Sequence, residues 1–178
     1  LGERRDYNVT VAPAGGYGGG NVYELARVQN GIAGAATAQP ALQLDDGVVY
    51  RFDQSDVSNN THPIAISNTG DGTHGGGVNF QTYVSQLAGQ SPQSYKKNLR
   101  FFKDEGTGPV EIDQSAYNGL VGQGPAIKAW IEWVNPQNNT HPKVDSSVYA
   151  GSFHYYCVNH PNMGSSLNSS GVIPSTAS

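Results

Sequence analysis

Cysteine and methionine each occur once in 178 residues, and only 13% of the chain is Asp, Glu, Lys or Arg. One cysteine excludes an internal disulfide, a structural zinc cluster of the usual multi-cysteine kind and any two-cysteine metal centre. Soluble domains carry about a quarter charged residues, so this surface must be polar mainly through uncharged groups. Ten Lys and Arg against 14 Asp and Glu give a net charge of −4, which leaves no general basic field for nucleic acid or an anionic membrane. No apolar run approaches the ~18–20 residues of a membrane span. Candidates such as Ile64-Ala65-Ile66 and Ala129-Trp130-Ile131 are strand-sized, and membrane insertion is not expected. The chain opens on Leu1 rather than Met, so a processed product or a fragment is expected.

What the chain has in quantity is glycine (23) and proline (10), which implies many short elements joined by turns rather than a helical bundle. The length suits one domain with a real core. The hydrophobic period is mostly two, and it predicts strands at Asn8–Val11, Ala41–Leu44, Val48–Phe52, His62–Ile66, Asn98–Lys103, Ile127–Val134 and Tyr149–Cys157. Asp46-Gly47 reads as the tight turn of a hairpin between the second and third of these. Phe80 to Leu87 is the one stretch that reads as helical. Trp130 and Trp133 break strict alternation, so a bulge or sheet edge is expected there. Residues 68–77 form a long glycine-rich loop, and the serine-rich stretch from Ser165 to Ser178 is expected to fray after Val172-Ile173. Seven or eight short strands with turns between them predict an all-β sandwich or barrel with Greek-key connections.

One constellation carries chemistry. The only cysteine and the only methionine lie six apart with a histidine midway: Cys157-Val158-Asn159-His160-Pro161-Asn162-Met163. Thiolate, imidazole and thioether form a soft donor set that suits copper, whereas magnesium, calcium and manganese prefer oxygen. Zinc is disfavoured, since thioether is not a usual zinc ligand and no second cysteine is present. A trigonal His₂Cys site with a weak axial Met needs one more histidine. His154 faces the opposite side of its strand from Cys157. His141 precedes an extended segment of about 25 Å, at about 3.3 Å per residue, which sends it towards the far pole. His74 sits among glycines with nothing to fix its direction and stays an outside candidate. His62 begins a strand directly after a loop, where it can share one end of the molecule with Cys157. A catalytic Cys157–His160 pair is disfavoured, because both residues share a tight loop and no third orienting group is apparent.

These residues carry a resemblance. The segment Gly47–Asp53 leading to His62-Pro63, together with Gly151–Gly164 and its C-x-x-H-x-x-M spacing, resembles the cupredoxin family, and its shorter-loop members in particular. The resemblance implies a cupredoxin-like Greek-key sandwich with a mononuclear type 1 copper site held by His62, Cys157, His160 and Met163. It covers about residues 40–67 and 145–173. It divides the chain into an N-terminal arm with a first strand and a glycine-rich loop (1–39), a cupredoxin-like domain (40–173) with an insertion at about 68–144, and a flexible tail (174–178). Phe52 to Pro63, Ser67 to Gly77 and Tyr155 to Gly164 are also similar to a cupredoxin-like module of marine phage and cyanophage virion structural proteins.

With four protein ligands no position stays open for substrate, and five histidines cannot furnish a multicopper centre. An enzyme is therefore not expected. Two roles remain: a structural component of a virion or extracellular assembly, or a soluble blue-copper electron carrier, which would be periplasmic. The first implies self-association or neighbouring structural subunits, with residues 1–20 available for strand addition. The second implies a redox protein partner.

Overall fold

The computed structural model describes residues 3–14, 20–81, 84–87, 95–135, 140–142 and 153–169. Its strands are β1 (Arg4–Pro13), β2 (Asn21–Gln29), β3 (Ile32–Ala38), β4 (Leu42–Leu44), β5 (Val49–Asp53), β6 (Ile64–Ser67) and β7 (Val84–Leu87). They continue with β8 (Tyr95–Lys97), β9 (Leu99–Asp104), β10 (Pro109–Ile112), β11 (Lys128–Trp133), β12 (Thr140–Pro142), β13 (Phe153–Cys157) and β14 (Ser165–Ser169). A seven-stranded sheet runs β10-β9-β11-β5-β1-β2-β3, a four-stranded sheet runs β4-β14-β13-β6, and a small third sheet runs β12-β7-β8.

Period-two alternation builds the core between the first two sheets. Val9, Tyr23, Leu25, Tyr50, Phe52, Leu99, Phe101, Ile131 and Trp133 project from the larger sheet. Leu42, Leu44, Ile64, Ile66, Phe153, Tyr155, Cys157 and Leu167 meet them from the smaller one. The Trp133 and Phe153 rings bridge the layers edge-on, with centroids 4.9 Å apart. The molecule is thus an all-β sandwich, and each of the seven strands expected from alternation overlaps an observed strand, residues 149–152 of the last lying outside the described residues.

Several local expectations are corrected. Asp46-Gly47 does turn the chain, with Gly47 at φ 79°, but β4 and β5 part into different sheets instead of forming a hairpin. The turn residues specify a reversal; pairing partners elsewhere decide where each strand goes. Phe80 bridges Ile66, and Val84–Leu87 is strand β7, paired with β8 and β12. Sheet pairing there overrides a weak helical spacing. The only α-helix among the described residues is α1 (Gln114–Asn118), capped by Asp113, whose carboxylate accepts from the Ala116 N–H at 2.8 Å.

β11 is neither bulged nor at an edge: it pairs in unbroken register with β5 and β9. Ala129, Ile131 and Trp133 point inward, while Trp130 lies on the outer face, stacked on Phe102 and covered by the Arg51 guanidinium 3.7 Å above its ring. Alternation holds, and Trp130 only looks misplaced because an outward tryptophan has found its own cover. The serine-rich stretch begins with a strand, β14, anchored by the fully buried Leu167; residues 170–178 lie outside the described set. The N-terminal strand is also taken up within the chain, since β1 lies between β5 and β2. β9, β10 and β11, which fall within the stretch expected as an insertion, complete the larger sheet.

Candidate metal centre

The two strands that deliver the donors are antiparallel neighbours, with Cys157 of β13 opposite Ile64 of β6. The end of β13 therefore meets the start of β6, and His62, two residues before Ile64, lies just beyond Cys157. His62 Nδ1 is 3.8 Å from Cys157 Sγ, and His160 Nδ1 is 3.6 Å from the same sulphur. The three donor atoms all lie within 4.8 Å of one another, and the two imidazoles tilt together at 4.5 Å between centroids. A first-row metal ion bonded to sulphur at about 2.3 Å and to imidazole at about 2.0 Å sets those atoms roughly 3.5–3.7 Å apart, for tetrahedral to trigonal angles. The observed spacings match. The cluster can hold a metal ion with little rearrangement.

Met163 is fully buried in the same apolar cluster as Cys157, and its backbone carbonyl accepts the Tyr23 N–H at 3.0 Å. His62 is buried, whereas His160 is exposed, so the site has a dry inner side and one imidazole at the surface. His154 takes no part, as expected from its strand face. Backbone pairing puts His141 of β12 in the small third sheet, opposite Gln86 of β7.

His62 is held by residues that alternation alone does not single out. Gln54 is fully buried and has every polar atom engaged. Its amide N–H groups donate to the His62 carbonyl at 2.8 Å and to Asn59 Oδ1 at 3.0 Å. Its Oε1 accepts from the Ile64 N–H at 2.8 Å and the Tyr117 hydroxyl at 2.7 Å. Tyr23 donates a second bond to the His62 carbonyl at 2.6 Å. Burial pushes both phenols well above their ordinary values, so each remains a donor at neutral pH. Asn59 in turn donates to the Val9 carbonyl, tying the loop to β1.

The Cys157–Met163 loop is clamped from outside by the glycine-rich stretch. His74, kept above only as an outside candidate for a ligand, instead puts Nε2 2.9 Å from the Cys157 carbonyl oxygen. A carbonyl only accepts, so Nε2 carries the hydrogen. Both carboxylate oxygens of Asp71 accept from the Asn162 N–H, at 3.0 and 3.1 Å. Gln39 reaches the Asn162 carbonyl at 2.8 Å, and Val158 N–H donates to the Pro63 carbonyl at 3.1 Å. Gly72 lies flat against the Tyr156 ring, where a Cβ would collide.

Burial pushes the Cys157 thiol up, against the Tyr23 hydroxyl and the Asn159 and His160 backbone N–H groups, which favour the thiolate. Burial, and secondly the neighbouring His160, hold His62 below its ordinary value. The metal-free site is thus a neutral thiol beside a neutral His62, a state that gives up a proton when a metal binds. No helix among the described residues is long and apolar enough to cross a membrane. No protein-family model, curated protein or solved structure matches the chain.

Proposed function

We propose that this chain is a cupredoxin-like protein that binds one copper ion at a type 1 site, through His62, Cys157 and His160, with Met163 as a weak fourth contact. The observation that carries this reading is the convergence of two Nδ1 atoms on one buried thiol, at 3.8 and 3.6 Å. A buried thioether carrier follows on the same loop. Three oxygen-free donors with a methionine behind them favour copper over zinc, and zinc over magnesium or calcium. When bound, copper supplies one-electron chemistry between its Cu(I) and Cu(II) states.

The chain's own residues do the rest. Tyr23 and Gln54 fix the His62 backbone, and His74 and Asp71 fix the Cys157 loop. The apolar cluster around Cys157 and Met163 excludes water from the inner side. A site built this way suits electron transfer or structural stapling rather than substrate turnover. Dialysis against equimolar copper and zinc tests the assignment: about one copper and little zinc per chain is expected. A site filled mainly by zinc would contradict it.

For the setting, we infer a structural module of a virion or extracellular assembly. The sparse charge, the polar but uncharged surface and the resemblance to virion modules support that reading. The exposed ring of His160 favours a second one, a freely diffusing carrier that docks on a redox protein partner at that edge. Recovery of the chain as a stoichiometric part of purified particles supports the module. Fast bimolecular electron exchange by a lone chain supports the carrier.

A further inference from the structure

We propose that Gln39 is a positioning residue for Met163: its side-chain amide pins the backbone on both sides of that methionine and so sets how the thioether meets the metal. The inference rests on the copper reading and adds to it a residue from the N-terminal arm, outside the stretch that resembles cupredoxins. Among the described residues, five that are not glycine have a left-handed backbone: Asn30, Gln39, Thr61, Asp71 and Asn162. That state is uncommon and persists only where the surroundings impose it. Asn30 belongs to the turn between β2 and β3, where asparagine before glycine is the usual choice. The other four gather at the metal end. Thr61 precedes His62, Asn162 precedes Met163, and Asp71 accepts from the Asn162 N–H. Gln39, at φ 43°, is the fourth.

From that conformation Gln39 binds in two directions. Its backbone N–H donates to the Tyr23 carbonyl at 2.8 Å, which keeps it on β2. Its Nε2 donates to the Asn162 carbonyl at 2.8 Å and to the Gly164 carbonyl at 3.2 Å. Carbonyls only accept, so the amide must face them with its nitrogen, whose two hydrogens match the two acceptors. Between them, the Met163 carbonyl accepts from the Tyr23 N–H at 3.0 Å. Three consecutive carbonyls are thus held from the β2–β3 hairpin, while Asp71 holds the Asn162 N–H. The Tyr23 hydroxyl reaches the His62 carbonyl at 2.6 Å, so the same hairpin grips both metal-bearing loops. A weak axial contact tunes the potential of a copper site, and backbone that cannot shift keeps that contact constant. Met163 is fully buried, so its thioether has no solvent side to swing into.

Met163 is the only methionine, so labelling methionine methyls with carbon-13 gives one NMR signal for the full chain. In the metal-free parent a single narrow signal, displaced from that of free methionine, is expected. Gln39→Ala removes the amide, and Gln39→Glu keeps its shape but not its donor. In both, folded by circular dichroism, the signal is expected to broaden and move towards the free value. Loaded with copper, both are expected to show a higher reduction potential than the parent, because a thioether less firmly held donates less to Cu(II). Asn30→Gly, at the far end of the same hairpin, is expected to match the parent in signal and potential. A parent-like methyl signal or a parent-like potential in Gln39→Glu, or equal shifts in Asn30→Gly, would overturn the proposal. A parent that takes up no copper would instead sink the copper reading, and the methyl signal would still decide whether Gln39 holds Met163.

Discussion

The side-chain amide of Gln54 donates to the backbone carbonyl of His62 at 2.8 Å, and nothing at Gln54 is left without a partner. The residue that aims the histidine is thus not its immediate neighbour but the position just past β5, which continues the inward row of Tyr50 and Phe52. Gln54→Leu keeps the volume and removes all four bonds, which leaves the His62 carbonyl, the Ile64 N–H, the Tyr117 hydroxyl and Asn59 short of partners. Each unsatisfied buried group costs about 1–3 kcal/mol, so denaturant unfolding should show a loss of several kcal/mol. Gln54→Glu keeps the acceptor and loses the donors, and should fall between the two. Unchanged stability in Gln54→Leu would mean that the network does not hold the loop.

His74 and Asp71 hold the Cys157–Met163 loop without being among the candidate ligands. Removing such an outer partner typically costs 10–100-fold in metal affinity. His74→Ala, at an exposed position, should therefore weaken metal binding about 10-fold with little change in the melting temperature of the metal-free chain. His74→Gln, which can still donate to the Cys157 carbonyl, should recover part of the loss. Competitive titration against a chelator of known affinity reads both. Equal affinities for the parent and His74→Ala would remove His74 from the account.

Gly164 closes the loop against the preceding strand, where a Cβ would run into the Tyr155 carbonyl oxygen. Because backbone cannot swing aside as a side chain can, Gly164→Ala should destabilise by about 1–3 kcal/mol. It should also loosen Met163, one residue away. Thermal unfolding with and without metal separates the two effects. A neutral substitution would show that the loop has room the geometry denies.

Proton linkage gives the metal-free chain two opposed limits. His62 and His154 are held low by burial, so unfolding takes up protons as pH falls below about 6.5, the ordinary histidine value. Their contribution is complete above that pH and lost on acidification. Cys157 is held high, so its contribution is complete below about pH 8.5, the ordinary thiol value, and lost as pH rises beyond it. Melting temperature under chelation should therefore peak between these limits. Cys157→Ser should lose the first part of the alkaline arm, before the buried Tyr23 and Tyr117 phenols act above about pH 10, and His62→Ala part of the acid arm.

Most of the sandwich was legible because each buried strand carries its own alternation. The Cys157–His160–Met163 loop was legible because rare residue types cluster there, and His62 because it lies just before a strand. What sequence alone missed depends on partners far along the chain. β2 was overlooked although Tyr23 and Leu25 alternate, since Glu24 and Arg27 dilute its apolar signal. β14 hid among serines with Leu167 as its only apolar residue. Gln54 left a usable trace: with Tyr50 and Phe52 it forms an inward row ending in a polar group. His74 left none, because its direction is set by the Cys157 carbonyl 83 residues away.

The claim on which the account turns is that Cys157 binds copper as a thiolate between His62 and His160. Adding one equivalent of Cu(II) to the purified chain and recording the visible spectrum tests it most directly. The account predicts an intense thiolate-to-copper absorption band that Cys157→Ser abolishes. No band, or a band that survives that substitution, would contradict it.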